Sequence, residues 1–149
     1  MEFDALDHFF NWYLQDKPAK PPLGEIIKFD DRVIESILYR HGQFQVQMCT
    51  VAPGSELPDH VHPEVDSYEL YISGDICFRR DGEKWIPQNP GIDCLRILPD
   101  SSHGGTFGKR GGIFLSIQYW QKGVEPDFIS NNWAFSDPEE TERNKLCIA

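Results

Sequence analysis

The stretch that decides the fold runs from Gly54 to Gly74 and reads GSELPDHVHPEVDSYELYISG. Its two histidines, His60 and His62, are separated by a single residue. Alternate side chains of a β-strand point to the same side, so on a strand both imidazoles project from one face. Two neighbouring imidazole nitrogens can bind one transition metal at about 2.0–2.1 Å. The stretch therefore predicts part of a metal site, with a third ligand expected from elsewhere in the chain.

Short β-type segments surround this stretch and continue to about Trp120. Turn residues, mainly glycine, proline and aspartate, separate the segments. They cover residues 25–29, 32–39, 43–52, 67–73, 75–80, 92–98 and 111–120. No segment of helical length lies between them, so the pattern argues against parallel crossovers and a nucleotide-binding α/β sheet. Evenly punctuated short strands are typical of an all-β sandwich or barrel.

The two ends of the chain differ from this central part. Residues 4–15 carry apolar side chains at helical spacing, which predicts a short N-terminal helix, and the prolines that follow end it. The predicted organisation is an N-terminal helix and proline-rich strap (residues 1–23), a barrel (24–129) and a C-terminal tail (130–149).

Composition narrows the class of partner. The chain has 149 residues and a formal net charge of −10, a sign that repels phosphate backbones and anionic lipid headgroups. Nucleic acid and membranes are therefore not expected as partners. The chain lacks an apolar run long enough to span a membrane, and its first residues lack the basic start and apolar stretch of a signal peptide. We expect a cytoplasmic protein.

A third histidine, His103, stands four residues after Pro99 in a turn that leads toward a β-type segment. Together these residues resemble the two sequence motifs of the cupins. Gly54, five residues, His-x-His and then Gly74 look like the first motif, and the proline followed by a single histidine looks like the second. The resemblance covers roughly residues 43–120.

This resemblance implies a double-stranded β-helix, the jelly-roll barrel of the cupins. It also implies a metal held by the histidines and the glutamate of the first motif together with the histidine of the second. His60, His62 and His103 match those histidines, but Ser67 stands where the family has its glutamate. Some cupins, thiol and diketone dioxygenases among them, use three histidines without the glutamate, and Ser67 is compatible with that group.

A replacement for the missing glutamate follows from the expected strand pairing. If His62 lies opposite Ser67 across an antiparallel hairpin, His60 faces Glu69. Cβ atoms of directly opposed residues lie about 4.5–5.5 Å apart, near enough for Glu69 to bind the metal or to hydrogen-bond a metal-bound water. Glu64 and Asp66 are weaker alternatives because they are expected to lie in the hairpin loop.

Side chains that face the interior of the barrel are expected to contact the substrate. Tyr71 shares the face of Glu69, and Gln118 lies on the mixed polar and aromatic face of segment 112–120. The other members of that face are Phe114, Ser116 and Trp120. We predict that Gln118 or Tyr71 positions the substrate, while Glu69 completes or orients the metal site, or moves a proton.

Two pairs of polar residues leave alternatives open. Gln45 and Gln47 share one face of a predicted strand and either line the cavity or face solvent; the solvent side is the favoured interpretation. Arg79 and Arg80 are adjacent, so only one of them can point inward, where it would clamp a carboxylate. Both arginines are interpreted as solvated.

The function predicted from these residues is that of a metal-dependent enzyme, a non-haem iron dioxygenase acting on a small organic substrate in the barrel. A histidine-rich ferrous site with open positions can bind substrate and dioxygen side by side. Iron(II) is the expected metal, with zinc, manganese and nickel as alternatives. The alternative functions are a metal-dependent sugar isomerase or small-acid lyase and a non-catalytic cupin that binds a small ligand.

Two further expectations come from family resemblance. The stretch Lys20–Gly24 looks like the lead-in of hydroxyanthranilate-type dioxygenases, although their histidine-to-glutamate spacing differs from that of this chain. Cupin barrels often pair through outer strands, so a homodimer is expected. Tyr68, Leu70 and Ile72 would supply an apolar patch for that contact, or would pack against the N-terminal helix.

Overall fold

The structure of the protein is a computed structural model, and it describes residues 26–28 and 32–126. The strands of this part are β1 (Ile26–Lys28), β2 (Val33–His41), β3 (Phe44–Val51), β4 (Glu56–His60), β5 (Val65–Arg80), β6 (Glu83–Trp85), β7 (Cys94–Ile97) and β8 (His103–Trp120). In the described residues no helix has the length and apolarity needed to cross a membrane. The predicted N-terminal helix, the stretch Lys20–Gly24 and the predicted tail lie outside the described residues.

Every strand pair is antiparallel, and the main path through the sheet is β1-β2-β3-β8-β5-β6. The long strands β5 and β8 pair from Val65 opposite Trp120 to Arg80 opposite His103. One end of this ribbon continues into β3 and β7, and the other end pairs with β4 and β6. Two walls thus share two strands, which confirms the predicted all-β double-stranded β-helix.

The shared strands change wall at a bend that requires glycine. Gly74 has a φ of +96° and Gly111 a φ of +62°, backbone conformations that side chains with a Cβ rarely adopt. A Cβ on Gly74 would overlap the carbonyl oxygen of Gly111, and one on Gly111 would overlap the carbonyl oxygen of Val51. The glycines therefore let two backbones cross closely enough for β5 and β8 to remain paired on both sides of the bend.

Two groups of apolar side chains are buried on opposite sides of the central strands. The group between the walls is Val33, Cys49, Val51, Leu57, Tyr71, Ile76, Phe78, Leu95, Ile97, Phe107 and Phe114. On the outer face Leu70 is buried with Phe44, Val46 and Ile117, while Tyr68 and Ile72 are partly buried against them. Successive residues of a strand face opposite sides. Because the apolar residues of the outer group point outward, the polar residues that alternate with them on the same strands point into the interior.

Apart from shifts of one or two residues at their ends, the strands differ from the predicted segments in three respects. The predicted segments 67–73 and 75–80 are one bent strand, and β8 begins at His103 instead of residue 111. Glycines that were interpreted as turns only bend these strands. The short strands β4 and β6 were not among the predicted segments.

Candidate metal centre

Three histidines meet where β4 ends and β8 begins. His60 is the last residue of β4 and pairs with His103, the first residue of β8, while His62 follows two residues after β4. One potential ligand atom from each histidine lies within 4.8 Å of the others. The ring centroids are 4.3 Å apart for His60 and His103, 4.5 Å for His60 and His62, and 5.1 Å for His62 and His103.

Backbone carbonyls orient two of the three rings. The Nδ1 of His60 lies 2.6 Å from the carbonyl oxygen of Pro58, and the Nδ1 of His103 lies 3.1 Å from that of Ser101. A carbonyl oxygen can only accept, so both Nδ1 atoms carry the proton and leave the Nε2 lone pair for a metal. This is the arrangement that fixes tautomer and orientation in many metal sites.

The surroundings keep all three imidazoles neutral. Burial and, to a smaller extent, the neighbouring rings of His60 and His103 together lower the pKa of His62 to about 2. Burial, followed by the effect of His60, lowers the pKa of His103 to about 3. Burial also lowers the pKa of His60, although the carbonyl of Pro58 opposes this shift. A metal requires the unprotonated ring, so the site is prepared to bind a cation.

The donor set fits a divalent transition metal. Imidazole suits iron, zinc, copper and nickel, whereas magnesium and calcium prefer oxygen ligands. In the part of the chain that the structure describes, the group consists of these histidines alone and includes no carboxylate. Three protein ligands leave at least one coordination position for water or substrate, as catalytic sites do.

The histidines line a cavity of about 40 Å³ that is open to solvent on one side. Its apolar wall consists of Leu57, Val65, Phe78, Ile97 and Phe114. Its other lining residues are Glu35, Gln47, Cys49, Ser67, Glu69, Arg79, Gly104, Ser116 and Gln118. An apolar pocket with a few convergent polar groups is typical of a small-molecule site.

Glu69 lines this cavity, but the register that placed it opposite His60 is wrong. β4 pairs with β8 and not with β5, and Glu69 lies between Leu95 and Ser116 on its two neighbouring strands. Glu69 is accordingly outside the three-histidine group. The prediction assumed that consecutive strands form a hairpin, whereas here the later strand β8 lies beside both.

The carboxyl group of Glu69 is held within the cavity wall. Its Oε1 accepts hydrogen bonds from the hydroxyls of Ser67 (2.9 Å) and Ser116 (3.1 Å). Burial raises its pKa to about 7, although the two serine hydroxyls act in the opposite direction. The side chain can therefore hold or release a proton near neutral pH.

The role of Tyr71 in positioning a substrate stays a prediction. The residues that line the histidine cavity in the described part of the chain do not include it. Its hydroxyl donates to the carbonyl oxygen of Gly74 at 2.8 Å. A register shift between Tyr71 and Ser73 interrupts the regular alternation of β5 next to the bend.

Gln118 does line the cavity, at the centre of a buried amide network. Its Oε1 accepts from Trp120 Nε1 and from Gln45 Nε2, each at 3.1 Å. Its Nε2 donates to Gln47 Oε1 at 3.1 Å and to Ser116 Oγ at 3.0 Å. Gln45 and Gln47 are 0% and 1% exposed, so their solvent-facing interpretation is wrong.

Arg79 was interpreted as solvated, but it is 4% exposed and lines the cavity. Its guanidinium donates to Asp59 Oδ1 at 2.9 Å and to Thr106 Oγ1 at 2.6 Å, and it lies 3.3 Å from Glu56 Oε1. Arg80 instead donates to the carbonyl oxygen of Arg96. The sequence feature that indicates a buried arginine is the pair of acidic residues in β4, Glu56 and Asp59, whose charges such an arginine can neutralise.

Glu35 is a further residue of the cavity, and it lies outside the motifs. It is 1% exposed on β2, and Cys49 Sγ lies 3.6 Å from its Oε1 as a donor. Burial raises the pKa of Glu35 to about 7; the thiol of Cys49 opposes this shift, and the charge of Glu69 adds to it. The sequence feature that indicates burial of Glu35 is its position between Val33 and Ile37, which lie on the same face of the strand and are buried.

The sequence matches no protein-family model, and no curated protein has a significantly similar sequence. Solved structures nevertheless share the fold. KdgF from Halomonas sp. has a TM-score of 0.61 at 13% identity, over 71% of this chain and 97% of that chain. An RmlC-like cupin from Shewanella frigidimarina has a TM-score of 0.58 at 18% identity, over 68% of this chain and 87% of that chain.

A third solved structure is the DMSP lyase DddQ from Ruegeria pomeroyi, with a TM-score of 0.54 at 17% identity over 66% of this chain and 52% of that chain. These likenesses show that the chain has the fold of the cupins. The fold and the histidine cluster together are compatible with a metal-binding cupin.

Proposed function

We propose that this cupin-fold protein is a metal-dependent enzyme in which His60, His62 and His103 hold a divalent metal, and that it dioxygenates a small organic substrate at iron(II). The single observation that supports this most is the group of three neutral imidazoles, within 4.8 Å of one another, in the wall of a cavity. Fold alone would not distinguish an enzyme from a binding protein.

The character of the donor set favours iron chemistry. Neutral imidazoles leave the positive charge of the metal uncompensated, and three protein ligands leave positions for a substrate atom and for dioxygen. When bound, a ferrous ion would supply the electrons and the coordination positions that dioxygen needs. Zinc, manganese and nickel fit the same donors and remain the alternative metals.

The chain's own residues would orient the substrate and restrict water. Leu57, Phe78 and Phe114 give the cavity an apolar wall, which strengthens electrostatic interactions inside it. Gln118 would serve as a positioning residue, because its amide is fixed by Trp120 and holds Ser116 and Gln47 in turn. In this proposal Glu69 holds a proton in the cavity wall and does not bind the metal.

A second candidate is a metal-dependent isomerase or small-acid lyase, and the buried carboxyl groups favour it. Glu35 and Glu69 both have a pKa of about 7, which suits a group that takes a proton from a substrate and returns it. One solved structure with the same fold is named a DMSP lyase. In this reaction the metal would polarise a carbonyl or carboxylate, and a glutamate would move the proton.

Nitric oxide, which binds ferrous iron in place of dioxygen, tests without a known substrate whether the histidines form the open iron site that the dioxygenase requires. Protein loaded anaerobically with iron(II) is titrated with nitric oxide and examined by electron paramagnetic resonance. We expect a spin-3/2 signal from about one iron per chain, absent in a His60→Ala/His103→Ala variant. Protein that carries zinc or nickel after purification without added metal, and gives no such signal when offered iron, would contradict the dioxygenase and favour the isomerase or lyase.

A further inference from the structure

Three buried polar groups in the wall of the histidine cavity lack a hydrogen-bond partner within the described part of the chain. They are Glu35 Oε2, Gln47 Nε2 and Glu69 Oε2. Their side chains are 1%, 1% and 6% exposed, and all three residues line the cavity. Burying a polar group without a partner is unfavourable, so three such groups in one cavity indicate a ligand.

The orientation of Gln47 follows from a chain of donors and acceptors. The indole of Trp120 can only donate, so the atom of Gln118 that faces it is the carbonyl oxygen. The amide nitrogen of Gln118 therefore faces Gln47 and donates to its Oε1 at 3.1 Å. The remaining atom of Gln47, its Nε2, is a donor that the network does not use.

Glu69 is oriented in the same way. Ser67 and Ser116 donate to its Oε1, which leaves Oε2 for another partner. Glu35 likewise uses Oε1 for the thiol of Cys49 and leaves Oε2. The cavity therefore presents two carboxyl oxygens and one amide N–H group that are preorganised by residues behind them.

We infer that Glu35, Gln47 and Glu69 form a polar subsite that binds the hydroxyl groups of a small hydroxylated substrate, such as a polyhydroxy acid. The inference rests on the proposed function, because the other end of that substrate would lie at the three histidines. A hydroxyl group both donates and accepts, so it can satisfy a carboxyl oxygen and the Gln47 amide together.

Other ligand chemistries fit the subsite less well. An ammonium group donates to carboxylates but would leave the donor of Gln47 unsatisfied. Burial raises the pKa of both Glu35 and Glu69 to about 7, so near neutral pH the two carboxyl groups are only partly ionised and attract a cation less than two carboxylates would. A purely apolar group would leave all three polar groups unsatisfied, which is strongly unfavourable.

Three four-carbon carboxylates test this assignment: threonate, butanoate and 4-aminobutanoate. All three carry the carboxylate. Threonate also carries hydroxyl groups, 4-aminobutanoate carries an ammonium group, and butanoate carries no further polar group. Calorimetric titration of the full chain should show threonate binding at least about tenfold more tightly than either of the others, the effect of one buried polar group gaining its partner. Equal or weaker binding of threonate, or none, would overturn the inference.

Variants assign the preference to these residues. In Glu69→Gln the amide oxygen can keep the bonds from Ser67 and Ser116, so the Oε2 acceptor becomes a donor. We expect Glu69→Gln and Glu35→Gln each to lower the preference for threonate by about tenfold. Glu83→Gln, at an exposed position of β6, should leave it unchanged. An unchanged preference in both cavity variants would overturn the inference.

Metal content, measured on the same samples, separates this inference from the proposed function. A protein without bound metal that still prefers threonate through Glu35 and Glu69 would support the subsite and contradict the metal enzyme. A protein with one metal per chain and no preference for threonate would support the metal site and contradict the subsite. The Glu35→Gln and Glu69→Gln variants should retain the metal content of the wild type, because neither residue belongs to the histidine group.

Discussion

Arg79 combines a buried charge with two acidic partners in the wall of the cavity. Its side chain and that of Glu56 are each 5% exposed, so the charge of Arg79 is compensated inside the protein, by Glu56 at 3.3 Å and by Asp59 at 2.9 Å. Removing one partner of a buried pair leaves the other charge uncompensated, which typically destabilises a protein by about 3–5 kcal/mol. The guanidinium thus holds β4, and with it His60, against β5.

We expect Arg79→Met to lower the free energy of unfolding by about 3–5 kcal/mol, measured by denaturant titration. Arg110→Met is the matched control, because Arg110 pairs with Asp75 at the surface with 70% of its side chain exposed. An exposed pair contributes little, so the control should unfold like the wild type. Equal effects of the two substitutions would show that Arg79 does not act through its buried charge.

Glu35 and Glu69 should make stability depend on pH. Burial raises the pKa of each carboxyl from its ordinary value of 4.5 to about 7. Between these pH values the unfolded chain loses protons that the folded chain keeps, so the free energy of unfolding falls as pH rises. The stabilising contribution is complete below about pH 4.5 and is lost as pH rises through about 7.

The measurement is the free energy of unfolding of wild type and Glu69→Gln at a series of pH values from acid to neutral. We expect the free energy of unfolding of Glu69→Gln to increase steadily relative to that of the wild type as pH rises, because glutamine cannot ionise. The exposed Glu83→Gln variant should follow the wild type at every pH. A constant difference between Glu69→Gln and wild type would mean that Glu69 ionises normally in the folded protein.

Single residues differ in how far the sequence identifies them. His60, His62 and His103 follow from motif spacing, because a metal requires a particular residue type at each position. Arg79 and Glu35 do not, because burial of a charge depends on partners that distant strands supply. The partner Thr106 of Arg79, for example, is 27 residues away.

At the scale of the elements, the bend of β5 and β8 depends on close backbone contact. Gly74 has a φ of +96°. The carbonyl oxygen of Gly111 also occupies the space that a Cβ on Gly74 would need. Gly82, in the turn between β5 and β6, has a φ of +81° but no heavy atom within 4 Å of that position among the described residues. The two glycines share a backbone conformation and differ in the space around them.

We expect Gly74→Ala to destabilise the fold by about 3 kcal/mol or more, since backbone strain and steric overlap add. Gly82→Ala should be destabilising by about 1 kcal/mol, because only the backbone conformation is unfavourable there. Thermal unfolding followed by circular dichroism measures both. A Gly74→Ala protein as stable as Gly82→Ala would show that the crossing of the two strands tolerates a methyl group.

The sequence pattern predicts most strands but not how they pair. Alternation and turn residues indicate β-segments locally, and the predicted inward face of segment 112–120 contains Phe114, Ser116 and Gln118, which do line the cavity. Pairing depends instead on which strands meet in space. β8 lies between β4 and β5, so the hairpin register that placed Glu69 opposite His60 does not form.

At the scale of the whole molecule, the histidine site joins the end of β4 to the start of β8 in the wall of the cavity. A metal that binds the folded chain and not the unfolded chain must stabilise the fold by mass action. We expect the midpoint of thermal unfolding to rise with added zinc or anaerobic iron(II), and not to rise in a His103→Ala variant. A midpoint independent of metal in the wild type would contradict the site.

The homodimer stays a prediction at this scale. Sedimentation equilibrium of the full chain measures it, and a mass of 34 kDa, twice the 17.2 kDa of one chain, is the expected result. A mass of one chain at all concentrations would show that Tyr68, Leu70 and Ile72 do not mediate pairing. Neither result bears on the metal site, whose three histidines come from a single chain.

The most direct test of the metal site is the metal content of the full chain purified without added metal. Wild type and His41→Ala, which removes an exposed histidine outside the cavity, should each contain about one transition-metal ion per chain. His60→Ala/His103→Ala should contain almost none while keeping a β-sheet circular dichroism spectrum. Wild type that is free of metal and fails to bind iron, zinc, manganese or nickel when these are added, or a double variant that retains the wild-type content, would contradict a metal centre at these histidines.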